Sequence, residues 1–185
     1  MNDSKDLLVV GVGTMGRPYL EAAARLGVRV RAVESAATWD HRPQALAEAF
    51  HRAPAGPEEL WNLAVNRAVA EHVPGGVVAF AEPQVLSAAL AQDRLALPGP
   101  SLHAAVISRN KALQRTTFAD HGVQQPEFRL VASVADARAW MLQRLPVVVK
   151  PLTRAGSEGV ELVADEAAVD DAGAPARAPS WWKRG

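Results

Sequence analysis

Residues 7–10, LLVV, form an unbroken apolar run that stops at a glycine. Such a run reads as a strand buried on both faces, followed by a tight turn. GRPYLEAAARLG comes next with helical spacing and closes at Gly27, a residue suited to the position after a helix. VRVRAVES alternates and predicts a second strand. Pro43 to Arg52 and Pro57 to His72 read as helices, with RAPAG between them as a break. GGVVAF predicts a third short strand and EPQVLSAALAQ a further helix. Strands alternating with helices predict an α/β fold with a parallel sheet covered by helices.

The pattern changes at LALPGPS, where two prolines flank a glycine and mark a boundary. A helix is expected from Ser101, and another over RNKALQRTTFADHG, ending at Gly122. PEFRLVA reads as a strand and SVADARAWMLQRL as a helix with Ser133 at its N-cap. PVVVKP and GVELVA are two strands separated only by LTRAGSE. Ends this close predict an antiparallel hairpin, so the second region is expected to be α+β. From Glu166 the chain is rich in Ala and Pro, with no periodicity that predicts an element.

Composition narrows the function classes. The 185 residues suffice for one large domain or two small ones. Twenty basic and twenty acidic side chains balance, so charge points to neither a nucleic-acid nor a membrane partner. There is no cysteine, which excludes disulfides and thiolate metal sites. The opening MNDSKD does not resemble a secretory signal, and no apolar stretch approaches the roughly 20 residues of a membrane span. The expected setting is the cytoplasm.

The first candidate site is GVGTMG, with Gly11, Gly13 and Gly16 after a strand and before a helix, and Glu34 closing the second strand. A dinucleotide site needs these parts: glycines for close approach to a pyrophosphate, a helix N-terminus, and an acid for a ribose hydroxyl. A tight β-α turn that binds nothing needs the same glycines for its geometry. The five histidines, His41, His51, His72, His103 and His121, are scattered without metal-ligand spacing. They read as surface or capping residues. No Ser-His-Asp set or carboxylate pair is visible.

The second candidate joins Lys150, at the end of a valine run, with Lys111 at a helix start and the loop RAGSEG. Backbone N–H groups of Gly156, Ser157 and Gly159, with the serine hydroxyl, can donate to a polyphosphate, and lysines add point charges. Taken singly, Lys150 fits a strand-end lysine that snorkels to water, and Lys111 fits a solvated helix residue. Neither bland account covers the two lysines and the loop in this order.

That order, LPGPS, RNK, HGVQQP, LPVVVKP and GSEGVELV, resembles the ATP-grasp superfamily. The branch it resembles holds biotin carboxylase, carbamoyl phosphate synthetase and amino-acid ligases. GVGTMGRPYLEAAARLGVRVRAVES is similar to the preATP-grasp domain of those enzymes, whose glycine turn holds no dinucleotide. The resemblance extends to about Asp165. It implies a Rossmann-like preATP-grasp domain over 1–97, a partial α+β ATP-grasp subdomain over 98–165, and an irregular tail over 166–185. It also implies ATP as cofactor. Lys150 would contact the α- and β-phosphates, Lys111 would be the earlier nucleotide-contacting lysine, and Gly156, Ser157 and Gly159 would belong to the phosphate-covering loop. Members phosphorylate a small carboxylate, and an amine or other nucleophile attacks the acylphosphate. Magnesium is expected of a complete enzyme, but its carboxylate and asparagine ligands, the adenine-binding hinge strand and an arginine near the acylphosphate have no counterpart here. By itself the chain is expected to be inactive, with no catalytic residue assigned.

Two other readings stay open: an NAD(P)-binding Rossmann oxidoreductase using the glycine turn, and a non-catalytic α/β subunit. A homodimer or a completing chain would supply what the second region lacks. The tail PSWWKRG carries a further expectation. With the Pro179 and Ser180 codons ending in G, reading one base earlier turns Ser-Trp-Trp-Lys into Val-Val-Val-Glu, an apolar strand ending in an acid. An ordinary disordered tail is the bland alternative. Sequencing of the locus separates them.

Overall fold

The computed structural model describes residues 5–13, 16–35, 46–54, 58–153, 157–170 and 172. The chain divides into two units, Met1–Val106 and Ile107–Gly185.

In the first unit, β1 (Asp6–Val10), β2 (Arg29–Ser35), β3 (Ala49–Ala53) and β4 (Gly76–Ala79) form one parallel sheet in the order β3-β2-β1-β4. The apolar run of β1 lies centrally, and its alternation feeds both faces. Leu8 and Val10 pack with Val33, Val77 and residues of α2 (Glu58–Glu71) and α3 (Val85–Arg94). Val9 packs with Val30, Ala32 and Leu20 of α1 (Arg17–Arg25). Gly27 follows α1 at φ +67°, the left-handed conformation expected of it. At the start of β1, buried Asp6 accepts from Arg29 Nε at 2.6 Å and pairs with His72 Nε2 at 2.8 Å. This pins β1 to β2 and to the segment entering β4. The order reverses between β1 and β4, so the glycine turn after β1 sits at a topological switch point.

One element differs from expectation. Pro43 to Arg52 reads as a helix, but Ala49–Ala53 is strand β3, paired with β2 from Arg31–Ala49 to Ser35–Ala53. Alanine-rich local preference for helix is small, and a ladder along β2 outweighs it. Residues 43–45 of that expected helix lie outside the described residues. The chain's third strand is therefore β3, and GGVVAF supplies the fourth.

In the second unit, α4 (Leu102–Arg109) crosses the division, and α5 (Lys111–Asp120) and α6 (Val134–Leu142) follow. Ser133 caps α6 as expected: its hydroxyl accepts from Asp136 N while the Asp136 carboxylate accepts from Ser133 N. β5 (Val147–Val149) and β6 (Glu161–Val163) pair antiparallel, with Val147 opposite Val163. The hairpin packs Val147, Val149 and Val163 against Ala137 and Met141 of α6. PEFRLVA, expected as a strand, pairs with none among the described residues and runs as irregular chain. Its alternation mimics a strand, but a strand needs a ladder, and β5 and β6 already pair with each other. Beyond β6, Glu166–Ala168 makes a 3-10 turn capped by Asp165. Val169 and Ala172 are buried in the same core, so this stretch is more ordered than its composition suggests. Residues 173–185, including PSWWKRG, lie outside the described residues.

Candidate functional site

The second unit contains a cleft of about 680 Å³, within the range of small-molecule sites. β5 forms part of its lining. Val147 and Val149 turn into the core, so Val148 faces outward and Lys150 continues that face. Val147, Val148, Val149 and Lys150 all line the cleft.

Asn110 begins α5 by accepting from Ala112 N at 3.0 Å and Leu113 N at 3.2 Å. The Lys111 backbone N–H donates to Leu152 O at 3.0 Å. That bond ties the start of α5 to the chain just past Lys150, so two lysines far apart in sequence line one cleft. Arg115, one helical turn after Lys111, lines it too. Lys150 is held below the ordinary lysine value of 10.5, first by burial, then by the charges of Arg115 and Lys111. Like charges held this close favour a bound anion.

The cleft also receives Arg129, Arg144 and a carboxylate, Glu127. Arg144 grips that carboxylate with two bonds, Nε to Oε2 and Nη2 to Oε1, each 2.9 Å. Arg144 also lies 4.8 Å from the Trp140 ring centroid. The hydrogen bond from Arg144 holds Glu127 below the usual carboxylate value. The acid is thus committed to Arg144. Among the described residues, Lys150 and Arg115 have no carboxylate partner.

The loop between β5 and β6 turns at Ser157–Gly159. Gly159 has φ +71°, and a Cβ there would come within 2.9 Å of Pro151 Cγ, so the turn lies against the residue after Lys150. Ser157 also has positive φ, +61°, and its carbonyl accepts from Val160 N. Ser157 and Gly159 lie beside the Lys150 segment and do not line the cleft itself. Gly156 lies outside the described residues.

The glycine turn of the first unit is arranged differently. Glu34, 2% exposed, folds its carboxylate onto its own backbone: Oε2 accepts from Gly13 N at 3.0 Å and Oε1 from Ser35 N at 2.8 Å. The Gln84 side chain covers Gly11, where a Cβ would meet it at 2.8 Å. A Cβ on Gly16 would fall 2.1 Å from Val12 O. Gly11 and Gly16 therefore have steric reasons within the turn, and Gly13 takes a left-handed φ of +53°. The acid that a dinucleotide ribose requires already serves the turn's own N–H groups.

No family model matches the chain. It is 29% identical over 172 residues to the formate-dependent phosphoribosylglycinamide formyltransferase of Chlorobaculum tepidum, covering 91% of this chain and 42% of that one. It superposes on the L-amino acid ligase of Bacillus licheniformis with a TM-score of 0.75 and 26% identity, over 92% of this chain and 43% of that one. The biotin carboxylase domain of Hydrogenobacter thermophilus 2-oxoglutarate carboxylase, solved with MgADP and bicarbonate, shares the fold at a TM-score of 0.73 and 15% identity. That match covers 90% of this chain and 39% of that one. These likenesses support an ATP-grasp superfamily relationship for the chain. The chain spans less than half the length of these relatives and corresponds to their N-terminal part.

The ATP-grasp assignment explains the mixed architecture, a parallel α/β unit followed by an α+β hairpin unit. The sequence singled out Lys111 and Lys150 but not Arg115, which lines the same cleft and whose only signal was its i+4 spacing from Lys111. Among the described residues, no group of three His, Asp or Glu side chains could hold a metal ion. No described helix is long and apolar enough to cross a membrane.

Proposed function

We propose that the cleft of the second unit binds the phosphates of ATP, and that the chain is the nucleotide-phosphate part of an ATP-dependent ligase. The observation that carries this is the convergence of Lys150, Arg115 and Lys111 on a cleft whose acid, Glu127, is already paired. Lys150 contacts the phosphates from β5, Lys111 contacts them from the start of α5, and the loop with Gly156, Ser157 and Gly159 covers them. Val148, 56% exposed and on the same face as Lys150, offers an apolar floor beside the charges. The functional boundary near residues 97 and 98 belongs to this reading.

The wider activity follows from the chemistry shared by the relatives. One is formate-dependent, one is an L-amino acid ligase, and one was solved with bicarbonate. Each involves a small acid. A carboxylate phosphorylated at the expense of ATP becomes an acylphosphate, and an amine displaces the phosphate. Cationic side chains serve that transfer by stabilising charge on the phosphoryl oxygens. The exposed apolar pair Val148 and Leu162 on the hairpin favours a further polypeptide completing the cleft, in the same protein or in a partner.

Calorimetry with ATP tests the reading. Lys150→Ala is expected to weaken ATP binding by about 1.5–3 kcal/mol, the value of a charge-assisted contact. Equal ATP affinity in the two proteins would overturn it.

A further inference from the structure

We propose that Arg115, clasped by Gln125, is a third phosphate-binding cation and makes the cleft select a polyphosphate chain over a monophosphate. This rests on the reading of the cleft as a nucleotide-phosphate site.

Arg115 lines the same cleft as Lys111 and Lys150 and stands one turn from Lys111 on α5. Its conformation is fixed from both ends. Arg115 Nη1 donates to Gln125 Oε1 at 3.2 Å, and Gln125 Nε2 donates back to Arg115 O at 2.8 Å. The second bond sets the orientation of the amide, because only its NH2 group can donate to a carbonyl. Oε1 is then left facing the guanidinium. The clasp uses one guanidinium nitrogen, and no described carboxylate pairs with the rest. A guanidinium held in this way loses little freedom on binding an anion. Its charge is also felt at Lys150, ahead of that of Lys111.

Arg115 and Lys111 on α5, Lys150 after β5 and Arg129 all line this cleft, so its cations come from separate segments of the chain. A single phosphate carries about two negative charges at neutral pH, confined to one tetrahedral group. A di- or triphosphate brings more charge, spread along a chain that can reach cations from two different elements. Gln125 is therefore a positioning residue, acting through Arg115.

The test uses the full chain with inorganic tripolyphosphate and orthophosphate, read by calorimetry, and with Lys150 titrated by NMR of its side chain. The wild type should bind tripolyphosphate more tightly than orthophosphate. Arg115→Gln should lose about ten- to hundredfold in tripolyphosphate affinity and raise the Lys150 titration point. Gln125→Glu, which pairs the guanidinium with a fixed acid, should lose affinity in the same direction, and Arg115→Lys should recover part of it. Failure of the wild type to bind either anion would overturn the nucleotide-phosphate reading and this inference with it. Tight binding by wild type and equal binding by Arg115→Gln would overturn this inference alone. A Lys150 titration point unmoved in Arg115→Gln would also overturn it.

Discussion

The two units each carry a glycine-bearing turn after a valine-rich strand, and they use it in opposite ways. In the first unit the turn after β1 is closed by its own neighbours. Glu34 accepts from Gly13 and Ser35, and Gln84 lies over Gly11. In the second unit the chain leaving β5 places Lys150 in a cleft that Lys111, Arg115 and Arg129 also line and whose lining acid, Glu127, is bonded to Arg144. A glycine motif is thus a weak guide to a site. What distinguishes a site is whether its polar groups are already bonded within the fold.

Substitutions at the two turns should separate these roles. The largest effect is expected at Gly16→Ala, where the new Cβ would fall 2.1 Å from a backbone oxygen. Stability should drop by about 2–4 kcal/mol, read by urea unfolding, with ATP affinity of the folded fraction unchanged. A variant as stable as the wild type would show that the first turn is not tightly closed. Lys150→Ala should do the reverse, leaving stability nearly unaltered while ATP affinity falls about ten- to hundredfold. Lys111→Ala should lose less, since Lys150 extends from a strand and Lys111 from a helix start. An opposite ranking would exchange the roles given to the two lysines. Neither NAD nor NADP should bind the first turn at micromolar concentration, and binding abolished by Gly13→Val would restore the dinucleotide reading.

The pH dependence sharpens the comparison with a smaller effect. The folded chain disfavours protonated Lys150, so this lysine gives up its proton below the ordinary 10.5. ATP affinity should therefore decline as pH rises through that lowered value. Between the lowered value and 10.5 the unfolded chain binds more protons, so stability itself rises with pH in that window. Affinity flat to pH 10.5 would remove Lys150 from the site. The smallest effect belongs to Glu127. Its pKa is depressed by Arg144, so its contribution is present above the ordinary carboxylate value and fades as acid protonates it. Glu127→Gln should change stability only slightly, because the pair is exposed.

Parts of this contrast were legible in the sequence for physical reasons. The run LLVV predicts β1 because it is short, rich in valine and ended by a glycine, which favours a buried strand over a helix. Ser133 predicts its helix start because a cap is a local interaction. β3 and PEFRLVA were misread for a common reason: strand pairing is decided by a partner elsewhere in the chain. AFHRA gains β2 and becomes a strand, and PEFRLVA gains no ladder among the described residues. Lys150 stood out because a charge after three valines requires support. Arg115 did not, because a basic residue on an exposed helix resembles any solvated face. Only the clasp with Gln125 and the shared cleft set it apart. Glu34 looked like a ribose acid because its position in sequence does not reveal that the turn's own amides claim it.

Residue-resolved NMR of the full chain during titration with ATP tests the contrast most directly. The expected result is a set of shift changes at Lys111, Arg115, Lys150 and the turn around Ser157, with Gly11, Gly13 and Glu34 unmoved. Shift changes centred on Gly11, Gly13 and Glu34, with the second-unit cleft silent, would contradict the assignment of the site.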